Sequence, residues 1–117
     1  MSRHDFIVST LVKMGFRTAL RGFDQLCYCI ERYSDDRTAT VGSIYCNVAA
    51  VCGCSKSAVE KNLRRLFTGC DASAKIGALI GIDFIDTGNK EIIAVLANYI
   101  GLNHKEGGAA VTAGASL

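Results

Sequence analysis

The stretch that decides how this chain reads is Tyr45 to Leu66, YCNVAAVCGCSKSAVEKNLRRL. It reads as a helix, a tight turn at Gly53 and a second helix with a basic outer face, which is the layout of a DNA-binding helix-turn-helix. Ala49 lies four residues before Gly53 and Val59 six after it, so small and β-branched side chains fall where two helices cross closely around a short turn. Ser55 is the expected N-cap of the second helix, its hydroxyl accepting from an amide of the first turn that has no partner within the helix.

On that second helix, expected over about Lys56 to Phe67, stepping about 100° per residue separates two faces. Val59, Leu63, Leu66 and Cys70 share the side expected to be buried, and Ser57, Glu60, Lys61 and Arg64 share the other. Lysine and arginine suit phosphates and guanine acceptor edges, and a carboxylate suits the cytosine amino group, so the outward set matches what major-groove reading requires. The competing reading is a solvated face on which Glu60 and Arg64 pair at i, i+4. The turn and its flanking pattern favour DNA, and the candidate DNA-binding residues are Ser55, Lys56, Ser57, Glu60, Lys61, Arg64 and Arg65.

A chain of 117 residues fits one domain, and at that size roughly two thirds of the unfolded surface is buried on folding. A helical DNA-binding domain is expected over residues 1–105, with the helix-turn-helix at about 41–67 and a flexible tail, EGGAAVTAGASL, over 106–117. The apolar runs fall short of the ~18 residues that span a bilayer. The N-terminus MSRHDFIVST is too polar for a signal peptide, so a cytoplasmic protein without membrane contact is expected.

The net charge of +2 does not by itself point to nucleic acid, but its distribution is uneven. Residues 1–37 carry six basic and five acidic side chains, residues 38–70 four and one, and residues 71–117 three and five. The local positive excess thus lies in the helix-turn-helix segment, a compact patch suited to a short DNA site. Arg17, Arg21 and Arg37 read as solvated charge, with outer phosphate contact as the functional alternative.

Six cysteines raise the question of a metal or a disulfide. The pairs Cys27/Cys29 and Cys52/Cys54 are each separated by one residue, unlike the wider spacing usual at zinc sites, and His4 and His104 stand near opposite ends. Cys27, Cys46 and Cys70 fall at apolar helical positions, where a free thiol acts as a small hydrophobe. Reduced, structural cysteines are expected, with no metal and no other cofactor.

Glycines punctuate the rest of this proline-free chain. A first helix is predicted over about Phe6 to Met14, with Ile7, Leu11 and Met14 inward and Gly15 as a left-handed cap. A second begins near Gly22, carries Phe23, Leu26, Cys27 and Ile30 at helical spacing, and stops at Ser34-Asp35-Asp36. A third covers about Val41 to Val51, with Ile44, Tyr45 and Val48 inward. Ala72 to Leu79 reads as a short helix and Ile82 to Asp86 as an extended connector. Asn89 caps a last helix with Ile92, Ile93, Leu96 and Ile100 on one face, ending near Gly101. The fold class is all-α, a compact bundle of five to six helices. Phe16, Phe23, Tyr28, Tyr45, Phe67 and Tyr99 read as core or rim. Phosphate loop, nucleophile elbow and paired metal histidines are absent from the sequence, so no enzyme is expected.

Taken in order, LVKMGF, LRGFDQL, VGSIYCNVA, SKSAVEKNLRR and NKEIIAVLANYIGLNHK resemble the C-terminal DNA-binding domain of the sporulation response regulator family, stage zero sporulation protein A. The likeness covers about Ile7 to Lys105. It implies a six-helix domain that binds duplex DNA and pairs as a homodimer on tandem sites, with RNA polymerase or a sigma factor as further partners. The family's contacting face, matched residue by residue, falls on Ser57, Glu60, Lys61 and Arg64. Ala58 replaces a basic residue there, and Lys61 stands where arginine is expected; lysine lacks the forked contact to guanine, so a different target sequence is expected. The family's phosphoacceptor domain has no room in 117 residues, and DNA binding independent of phosphorylation is expected. Two other functions compete: a protein-interaction module that pairs with a related regulator, and a cysteine-based metal or redox sensor.

Overall fold

Four helices and the turns between them account for most of residues 2–69: α1 (Arg3–Met14), α2 (Arg21–Asp35), α3 (Val41–Cys52) and α4 (Lys56–Thr68). A fifth, α5, covers Asn89–Gly108. The structure, a computed structural model, describes residues 2–69, 77, 81 and 87–108. Among these there are five helices and no strand. The expected helix Ala72 to Leu79, the connector Ile82 to Asp86, Cys70 and residues 109–117 of the expected tail lie outside the described residues.

Local chemistry sets most of the boundaries. Ser2, Thr40 and Ser55 each cap a helix by accepting through the side chain from the amide three residues on. Gly15 and Gly53 end α1 and α3 at φ of 94° and 68°, a left-handed conformation that glycine adopts without steric cost. Three expectations need correction. The first helix starts at Arg3 rather than Phe6, because Ser2 caps it. The last helix runs on past Gly101 to Gly108. Its cap is Gly88 rather than Asn89, because the Gly88 carbonyl accepts from the Ile92 amide and the Asn89 side-chain oxygen has no hydrogen-bond partner among the described residues.

Helix α2 is central, packing on α1, α3, α4 and α5. Its Phe23, Leu26, Cys27, Cys29 and Ile30 meet Ile7 and Leu11 of α1, Ile44, Tyr45 and Val48 of α3, Val59, Leu63, Leu66 and Phe67 of α4, and Ile92, Ile93, Leu96 and Ile100 of α5 in one buried cluster. Phe16 and Phe67 join it edge to face at 6.4 Å between ring centroids. Tyr28 and Tyr99 sit on the rim.

Cys46 is exposed, against the expectation that it packs inward. Helix α3 buries Ile44, Tyr45, Val48 and Ala49, and one further step of about 100° from Tyr45 carries Cys46 out of that arc. Cys29 is instead fully buried.

Candidate nucleic-acid interface

Helices α3 and α4 are joined by Gly53, Cys54 and Ser55 alone. The Cys54 amide bonds back to the Ala49 carbonyl at 3.0 Å, and Ala49 and Val59 are both buried where the helices cross. One polar chain braces the turn from behind. Asn62 Nδ2 donates to Gln25 Oε1 at 3.1 Å, and Gln25 Nε2 donates to Cys54 Sγ at 3.6 Å. Gln25, buried in the second turn of α2, therefore links α4 to the turn that precedes it, a role that its sequence neighbourhood does not signal.

The direction α4 faces is set by its buried residues Val59, Leu63, Leu66 and Phe67. At about 100° per residue the line opposite to them runs through Ser57, Lys61 and Arg65, and all three are exposed. Glu60 and Arg64 are turned to one side, where the first turn of α5 lies. Arg64 Nη2 donates to the Thr87 carbonyl at 2.7 Å and is partly buried there. Asn89 Nδ2 donates to the Glu60 carbonyl at 3.2 Å. The structure thus brings Ser57, Glu60 and Lys61 to the surface as expected, but commits part of the Arg64 guanidinium to holding α5 against α4. Arg65, absent from the outward set derived from the wheel, stands nearer its centre. Ser55 is engaged as the cap, its Oγ accepting from the Ala58 amide at 3.1 Å.

On the Glu60 and Arg64 side lies an open groove of about 640 Å³, bordered by Lys56, Lys61, Gly42 and Lys90. Lys56 reaches over the first turn of α3, its Nζ 3.1 Å from where a Gly42 β-carbon would stand. A cation at the positive end of a helix raises the local potential instead of neutralising it. Among the described residues that border it, Lys56, Lys61, Arg64 and Lys90 stand against one carboxylate, Glu60, a balance that favours an anion. Tyr45 forms part of its wall. Burial pushes the Tyr45 phenol up, and a hydrogen bond from Asn89 works in the opposite direction.

On the other side of α4 a smaller cleft of about 210 Å³ lies between α4 and the start of α2, bordered by Arg21, Gly22, Asn62 and Arg65. Gly22 is the reason α2 approaches so closely: a β-carbon there would stand 2.4 Å from the Asn62 carbonyl oxygen. In the sequence Gly22 reads only as the start of a helix. Lys90 and the ties made by Thr87 and Asn89 left no sequence signal, because all depend on where a distant segment packs.

Among the described residues, no group of three or more His, Cys, Asp or Glu side chains is placed to hold a metal ion. Burial pushes the Cys27 and Cys29 thiols up to about 12. No helix among the described residues is long and apolar enough to cross a membrane. No protein-family model, curated protein or solved structure matches the chain.

Proposed function

We propose that the chain is a sequence-specific transcription regulator that binds duplex DNA by seating α4 in the major groove. The observation that carries this reading is the exposed line Ser57, Lys61 and Arg65 on a capped helix behind a three-residue turn, opposite the buried side of α4. An α-helix of about 10–12 Å diameter fits the ~12 Å width of the major groove. Lys61 and Arg65 then meet acceptor edges or phosphates, Ser57 meets either, and Glu60 accepts from a cytosine amino group. The resemblance to the sporulation-regulator effector domain supports the same reading, and the proposed place of action is the cytoplasm.

Selection from a random duplex library with the purified chain, followed by sequencing and gel-shift titration, tests it. An enriched motif bound well above a scrambled duplex is the expected outcome. Absence of binding to any duplex at low salt overturns it.

A further inference from the structure

Resting on that reading, we propose that Lys90 and Arg21 grip the two phosphate strands that border the major groove, one on each side of α4. Two helix starts are anchored to the same turn of α4 from opposite sides. On one side the start of α5 is tied by Arg64 to the Thr87 carbonyl and by Asn89 to the Glu60 carbonyl. On the other the start of α2 is pressed against the Asn62 carbonyl at Gly22, which is buried. Each anchored turn carries an exposed cation next to the anchor: Lys90 follows Asn89, and Arg21 precedes Gly22. Lys90 borders the wider groove and Arg21 the narrower cleft, so α4 is bracketed by positive charge on both sides.

A helix lying in the major groove has a phosphate strand along each of its sides. Cations standing on both sides, held to α4 by side-chain hydrogen bonds to backbone carbonyls on one side and by a close backbone approach on the other, meet those strands when α4 is seated and fix its depth and register without reading sequence. In this arrangement Arg64 is a positioning residue. Its bond to Thr87 holds the turn that presents Lys90.

The test uses the full chain on its selected duplex, with Lys90→Ala, Arg21→Ala and the double variant titrated over a range of salt concentrations. Each single variant is expected to weaken binding roughly threefold to tenfold, and to reduce the slope of log affinity against log salt by about 0.9. The double variant should lose both increments, and the order of preference among duplex sequences should stay the same. Both positions are exposed, and circular dichroism with the thermal midpoint checks that the variants fold as the parent does. An unchanged slope in either single variant, with the parent binding its site, overturns the two-sided grip and leaves the major-groove reading standing. A parent chain that binds no duplex overturns both.

Discussion

Gly22 and Asn62 touch backbone to backbone: a β-carbon on Gly22 would stand 2.4 Å from the Asn62 carbonyl oxygen and 3.2 Å from the Leu66 β-carbon. No side chain can occupy that space unless α2 and α4 separate. The start of α2 is thereby locked to the middle of α4, and the direction in which α4 projects follows from it.

The first prediction concerns this contact. In an open helix, replacing glycine by alanine gains up to about 1 kcal/mol. At Gly22 the clash is with backbone, which cannot rotate away, so Gly22→Ala is expected to destabilise by about 1 to 3 kcal/mol. Urea unfolding of the two proteins measures it, and a stability equal to or above the parent's would refute the close approach.

A second prediction follows from Gln25, which accepts from Asn62 and donates to Cys54. Gln25→Ala leaves a cavity in α2 and removes the partner of a half-buried amide, at an expected cost of about 1 to 3 kcal/mol. Thiols are weak acceptors, so Cys54→Ser, which offers a hydroxyl to the same Gln25 donor, should change stability by less than about 1 kcal/mol. Equal losses in the two variants would show that the thiol itself matters.

The cysteines provide a third. Cys46 and Cys52 are exposed, whereas Cys27 and Cys29 are buried with thiols pushed up to about 12 from an ordinary 9.0. Iodoacetamide at pH 8, mapped by mass spectrometry, should label the first two in the native protein and reach the second two only on unfolding. The unfolded state loses these two protons near pH 9.0 and the folded state only near 12. The folded state thus binds more protons between those values, and stability should be fully present below pH 9 and fall as pH rises towards 12. A flat stability profile over that window would count against the burial of both thiols.

Arg64 and Arg65 are adjacent but differently placed, which gives a fourth prediction. Arg64→Ala removes a 2.7 Å charged hydrogen bond to the Thr87 carbonyl and should cost about 1.5 to 3 kcal/mol of stability. Arg65→Ala should change stability by no more than about 0.5 kcal/mol, and weaken binding to the selected duplex. Thermal unfolding and gel-shift titration of both variants decide it, and the reverse pattern would restore Arg64 as the reader.

Much of the local order was legible in the residues alone. Ser55 and Gly53 determine where α4 starts and α3 ends through contacts confined to one turn, and the spacing of Ile7 with Leu11, or Val59 with Leu63, already marks which sides are buried. The side of α4 left open could not be read in the same way. A helical wheel gives an approximate outward arc, within which Glu60, Lys61 and Arg64 look equivalent. Their difference comes from the residues that lead into α5, more than twenty positions further along, where Thr87 takes Arg64 and Lys61 is left exposed. Gly22 shows the same division: its place near the start of a helix was readable, while the need for a missing side chain arose only when α4 packed across it. Contacts within a turn depend on neighbouring residues and are written in sequence order; contacts between helices depend on how whole apolar faces pack, and only the folded chain decides those.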